Sequence, residues 1–177
     1  MRTILIGLGN PILGDDAVGW KVVEQVEQQL QQLRPENLEP LDIVYLSIGG
    51  LGLMEHLIDY DRAIIVDAIF SGNEIPGTIS THLLEDVFDL ASGHTFSAHD
   101  TGLQDAIDLA RKIGVCMPKK LVIVGIETDS IYSFSEALTT DVAAAIPQAV
   151  EIVIELLTKT GPWDVERTHY LTWVGSP

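Results

Sequence analysis

Thr3 to Gly9 (TILIGLG) is an unbroken apolar run closed by glycines, and a segment of helical period follows it almost at once. A run of that kind needs cover on both faces, which sets the chain toward a buried, parallel sheet. From Asp15 to Leu33, the residues Val18, Val22, Val26, Leu30 and Leu33 recur at steps of three or four, while Glu24, Glu27, Gln28 and Gln31 take the other face. Asp15 stands where an N-cap belongs, and Pro35 marks the exit. Asp42 to Ile48 (DIVYLSI) is predicted as a second strand, Leu51 to Ile58 as a short helix and Ala63 to Phe70 (AIIVDAIF) as a third, buried strand. Gly77 to Leu84 is shorter and more polar, as an antiparallel edge strand would be. Leu103 to Ile113 has helical period, Leu121 to Ile126 (LVIVGI) is a further core strand, and a last helix runs from about Thr140 to Leu157. Pro147 lies inside that helix and is expected to kink it or shift its start.

Strand and helix alternating over short links imply right-handed crossovers. The expected fold is therefore one α/β domain over residues 1–158: three layers, with a twisted, mostly parallel sheet between helices and a short edge strand. Residues 159–177 carry Trp163 and Trp173 but show no clear period, and form a tail to which the pattern assigns no role.

Composition narrows the partners. Nearly half of the 177 residues are apolar but only 6% are aromatic, so aliphatic side chains fill the core. A formal charge of −16 argues against a nucleic-acid backbone and against an anionic membrane surface, both of which call for clustered Lys and Arg. A basic or metal-bearing protein partner remains compatible. Cys116 is the sole cysteine, so neither an internal disulfide nor a thiolate metal cage is available. The first apolar run is too short for a signal peptide, and no stretch approaches the roughly 20 apolar residues of a membrane helix. The expected compartment is the cytoplasm.

In a doubly wound sheet, ligands bind beyond the carboxyl ends of the strands, where the strand order reverses. With the order 2-1-3, the loops leaving strands one and three meet there. Asp16 follows strand one, and Asp67 ends strand three within an otherwise apolar run. A charge in that setting is costly unless paired, hydrogen-bonded or metal-bound. His99, in Ser97-Ala98-His99-Asp100, precedes the next helix and is the candidate to close over the crevice. Two carboxylates and an imidazole suit nickel or zinc, with one position left open. Plainer roles stand beside these. Asp15 and Asp16 open a helix, where acids are favoured by the free N–H groups; Asp67 is placed to cap a turn, and His99 to be an ordinary loop residue. His94 competes with His99, while His56 and His82 read as surface positions and His169 falls in the tail. Cys116 belongs to the opposite end of the sheet. No Gly-x-Ser-x-Gly elbow exists, and the dinucleotide fingerprint fails where Ile12 replaces its last glycine.

The segment Gly7-Leu8-Gly9-Asn10-Pro11-Ile12-Leu13-Gly14-Asp15-Asp16-Ala17-Val18-Gly19 resembles the opening motif of nickel–iron hydrogenase maturation proteases. Ile65-Val66-Asp67-Ala68, Ser97 to Leu103 (SAHDTGL) and Val124-Gly125-Ile126-Glu127 are similar to the family's later blocks, in the same order. Many members carry glycine where this chain has Ala17. The resemblance implies an endopeptidase that removes a short C-terminal peptide from a hydrogenase large-subunit precursor. It implies metal binding at Asp16, Asp67 and His99, catalysis at Asp16 and Asp67, and substrate contact at Gly9 and Asn10. The nickel is then expected to arrive with the substrate, and no organic cofactor is expected. Two other functions stay open: a nickel-dependent checkpoint that binds the precursor without cutting it, and an esterase like the peptidyl-tRNA hydrolases, which share the Gly-Leu-Gly-Asn-Pro opening. The latter family has a catalytic histidine where this chain reads Gly14-Asp15-Asp16.

Overall fold

The computed structural model describes residues 1–33, 39–84, 102–129 and 134–158, together with the backbone of residues 168–170. In chain order these are β1 (Thr3–Leu8), a 3-10 turn (Gly14–Ala17), α1 (Val18–Leu33), β2 (Leu41–Leu46), α2 (Gly50–His56), β3 (Arg62–Ile69), β4 (Ile79–Leu83), α3 (Leu103–Lys112), β5 (Lys120–Glu127), α4 (Thr140–Thr158) and β6 (Thr168–Tyr170). The sheet order is β2-β1-β3-β5-β4-β6. β2, β1, β3 and β5 are parallel, and β4 and β6 join antiparallel. The expected mostly parallel sheet between helices is the observed one, including the 2-1-3 order at its start. β6, from the segment without a legible period, pairs along the outer side of β4.

Two apolar cores occupy the two faces. Leu5, Val22, Val26, Ile64, Val66 and Val124 meet α4 through Val150 and Val153 on one side. Ile4, Ile6, Ile65 and Ile123 meet Leu53, Leu57, Leu103 and Ile107 of α2 and α3 on the other. Successive strand residues thus point to opposite, equally dry layers, which is why β1 and β3 read as continuous apolar runs rather than alternating ones. Each fully buried aliphatic side chain contributes about 1.5–3 kcal/mol relative to exposure.

Two local expectations change. Asp15 does not cap α1. A 3-10 turn intervenes, with Leu13 at its N-cap position and no side-chain capping bond there. The last helix starts at Thr140, as expected, and contains Pro147. His82, expected at the surface, is buried. Its strand lies inside the sheet: His82 is paired with Ile123 of β5, and β6 covers the other side of β4 over the preceding Ile79–Thr81. His56 is exposed, as expected.

Glycines let α1 start hard against the sheet. A Cβ on Gly19 would run into the carbonyl oxygens of both Leu8 and Val66, and one on Gly7 would lie 2.9 Å from the Gly19 oxygen. The first turn of α1 therefore rests directly on the carboxyl ends of β1 and β3.

Candidate active site

Asp67 shares the α2/α3 face of β3 with Ile65, two residues before the strand ends at Ile69. Its side chain is fully buried, and its Oδ1 accepts the N–H of Ala68 at 2.9 Å. Asp16 comes from the 3-10 turn packed against β3 and is also buried. The chain leaves β1 through Gly9 at φ +130°, a conformation that L side chains rarely adopt, and a Cβ there would collide with the Asp16 carbonyl oxygen. The next N–H, that of Asn10, donates to Asp16 Oδ2 at 2.7 Å. Asn10 Oδ1 in turn accepts the Ile12 N–H at 3.2 Å, which curls the loop back over the strand end. Ser47, just beyond β2, donates from Oγ to the Gly9 carbonyl at 2.7 Å. Gly9 and Asn10 thus position Asp16, in a turn packed on β3, the strand that carries Asp67.

Asp15, the neighbouring acid, has a different task. Its Oδ1 accepts the Thr139 N–H at 2.7 Å and its Oδ2 the Thr139 hydroxyl at 2.9 Å. The Thr139 carbonyl receives the first helical bond of α4, from Ala143 at 2.9 Å. Asp15 therefore latches this turn to the N-cap of α4, while Asp16 holds the Asn10 N–H on the β1 side.

Glu127 ends β5 beside Ile69 and is buried. Its Oε1 accepts the N–H groups of Ser71 at 2.8 Å and Gly72 at 3.0 Å, and the Ser71 hydroxyl bonds both oxygens at 3.0 Å. Burial pushes the Glu127 carboxyl up, against the opposing pull of these donors. Beyond the motif that contains it, nothing in the sequence signals this loop-holding role; a carboxylate closing the apolar strand LVIVGIE is the one local clue.

The third expected ligand, His99, and its competitor His94 lie outside the described residues. Among the described residues no group of three His, Cys, Asp or Glu side chains converges as a metal site. α3 begins at Leu103, four residues after His99, and packs on the face to which Asp67 belongs. From there α3 runs back toward the amino end of β5. Cys116 is exposed at the other end, in the loop before β5.

The hydrogenase maturation protease family model HycI matches residues 20–156, a span that includes Asp67 and His99 and begins just after the turn carrying Asp16. The hydrogenase 2 maturation protease of Escherichia coli is 35% identical over 161 residues, 91% of this chain and 93% of that protein. This chain belongs to the hydrogenase maturation protease family. It is, like its relatives, a peptide hydrolase. The solved structure of the E. coli hydrogenase maturating endopeptidase HybD superposes with a TM-score of 0.73 at 33% identity, covering 89% of this chain and 92% of that one. A maturation protease HybD from Thermococcus kodakarensis, 23% identical, shares the fold with a TM-score of 0.69 over 89% of this chain and all of that one. As a maturation protease, the chain presents carboxylates at the strand ends and, among its described residues, no helix long and apolar enough to cross a membrane.

Proposed function

We propose that this chain removes a short C-terminal peptide from the nickel-loaded large-subunit precursor of a NiFe hydrogenase, in the cytoplasm, with the substrate's own nickel as the recognition element. The observation that carries this is Asp67, a carboxylate with no exposed surface, on the strand against which the turn with buried Asp16 packs. Two acids drawn out of water in one place are stabilised by a divalent cation between them. Carboxylate oxygens with one imidazole form a donor set that nickel accepts. His99 supplies the imidazole, from the segment leading to α3.

Nickel held by the precursor docks on Asp16, Asp67 and His99, which fixes the scissile peptide beside them while Gly9 and Asn10 line its path. Water then adds to the scissile carbonyl carbon, the C–N bond breaks, and the leaving amine takes a proton. Polarisation by the cation stabilises the developing oxyanion.

The test is the intact mass of the precursor after incubation with trace enzyme, with and without nickel loading. Loss of one discrete C-terminal peptide from the loaded precursor alone is expected, and Asp16→Asn and Asp67→Asn variants that keep the fold should lose processing. Full processing by both variants would remove these residues from the site. Activity only at stoichiometric amounts, without a mass change, would instead mark a binding checkpoint.

A further inference from the structure

Large apolar side chains stand exposed at the carboxyl end of the sheet, where Asp16 and Asp67 lie: Ile12 after β1, Ile48 after β2, Leu51 in the first turn of α2, Phe70 and Ile75 after β3, and Phe134. Phe134 is tied to this end of the molecule through its neighbour. The Ser135 N–H donates to the Ile12 carbonyl at 3.1 Å, and the Gly14 N–H donates to the Ser135 carbonyl at 2.6 Å. Phe134 is 83% exposed and Ile75 59%. Among the described residues, the remaining exposed large apolar side chains are Met1, Leu33, Leu109 and Ile113. These lie ahead of β1, at the end of α1 and along the second half of α3, toward the opposite end of the sheet. Scattered apolar residues are normal on a protein surface, but a set gathered at the site-bearing end of the sheet marks an interaction surface.

The collar is preformed. Glu127 holds the backbone N–H groups of Ser71 and Gly72, between Phe70 and Ile75, and the Thr128 N–H donates to the Ile69 carbonyl at 2.7 Å. Its charge is one-sided as well. The described loops 9–13, 47–49, 70–78, 128–129 and 134–139 contain Glu74, Asp129 and Glu136 but no Lys or Arg, on a chain of net charge −16. A partner must therefore bring apolar surface bordered by positive or neutral groups, because an acidic rim would be repelled.

We infer that this collar is the docking surface for the folded body of the large-subunit precursor, which seats an apolar patch rimmed by Lys or Arg over the two carboxylates. This rests on the proposed cleavage of that precursor, and it adds that substrate choice is made by Phe134, Ile75 and their neighbours around the crevice as well as by nickel within it. Truncating an apolar anchor at the centre of an interface weakens binding by about tenfold.

The experiment measures Kd, KM and kcat for the nickel-loaded cognate precursor with wild type, Phe134→Ser and Ile75→Ser, and with Leu109→Ser at the far end as control. Thermal unfolding reports on the fold, and sedimentation of each enzyme alone reports on self-association. Phe134→Ser and Ile75→Ser should each raise Kd and KM by about tenfold, with kcat and thermal stability unchanged and Leu109→Ser silent. Unchanged Kd and KM in cleaving variants would overturn the collar and leave the cleavage standing. A wild type that binds the precursor without cutting it, and loses binding on Phe134→Ser, would uphold the collar and overturn the cleavage. A wild type that does not bind the precursor overturns both. Dimerisation of wild type that Phe134→Ser abolishes would assign the collar to a second copy and overturn the docking.

Discussion

Gly19→Ala is expected to damage both the stability and the activity of this enzyme. The new Cβ would meet two backbone carbonyl oxygens, those of Leu8 and Val66, and would lie 3.0 Å from the Val66 carbonyl carbon. Both carbonyls belong to central strands paired on each side, so neither peptide can rotate away. Overpacking of this kind costs about 3 kcal/mol at the upper end of its usual range. Alanine recovers about 1 kcal/mol of helix propensity over glycine. The net loss is about 2 kcal/mol, or about 4–8 °C in Tm for a domain of this size. The alternative to that loss is a displacement of α1 on the order of 1 Å, which carries the turn with Asp16 away from β3 and costs about a hundredfold in turnover. Gly52→Ala in α2 is the matched control. Its nearest neighbour would be the Ile48 Cδ1 at 3.2 Å, the end of a flexible and exposed side chain. That variant should unfold within about 2 °C of wild type or slightly above it. Circular dichroism melts and precursor mass assays on both variants decide the matter. A Gly19→Ala enzyme with unchanged Tm and unchanged turnover would show that the close approach of α1 to the sheet is not required.

Adjacent acids should separate cleanly by substitution. Asp15→Ala removes both acceptors of Thr139 and should cost about 1–3 kcal/mol in chemical denaturation, with nickel-gated processing retained by the folded fraction; Asp16→Asn should keep stability within about 1 kcal/mol and abolish processing. If Asp15→Ala instead kept full stability and lost activity, the two roles would be reversed. Burial raises the Glu127 carboxyl, so between its unfolded and folded values the native state holds the extra proton, and this contribution to stability is lost as pH rises through the folded value. Glu127→Gln should therefore gain stability relative to wild type on going from about pH 5 to about pH 8; a difference that is flat or of opposite sign would exclude burial as the dominant influence. Tyr45 donates to Glu27 Oε2 at 2.9 Å, and burial with this neighbour pushes its hydroxyl up to about 12. Spectrophotometric titration should show one tyrosine that ionises late, and Glu27→Gln should bring it down.

Much of the architecture was legible because both sheet faces are dry. The runs at β1, β3 and β5 are apolar without alternation, and the helical period of α1 begins within a few residues of its true start. Asp67 stood out for the same reason, as the one charge inside a buried strand. Contacts distant in sequence were not legible. Asp15 looks like a cap on the helix it precedes, yet its partner Thr139 is 124 residues away. His82 looks superficial in a short polar strand, yet that strand lies inside the sheet, paired with β5 along its length and with β6 over Ile79–Thr81. Thr168–Tyr170 carries three residues of pattern, too few to separate a strand from a loop by period. Glu127 holds a loop whose residues lie 55 and 56 positions earlier. Gly19 reads as one more helix residue until the strands beneath it are in place.

The latch between Asp15 and Thr139 has a consequence for the order in which the molecule becomes active. Synthesis delivers β1 and the turn with Asp16 at the outset, but the residue that clamps this turn follows β5, late in the chain. Until then, one of the two proposed acids belongs to a turn missing its principal tether. Pairing β3 with β5 and docking α4 are likewise long-range events, slow relative to local helix formation. Cleaving power should therefore arrive in a single late step, when the start of α4 closes on Asp15. A nascent maturation enzyme is in this way kept from acting on its substrate before its own fold is finished.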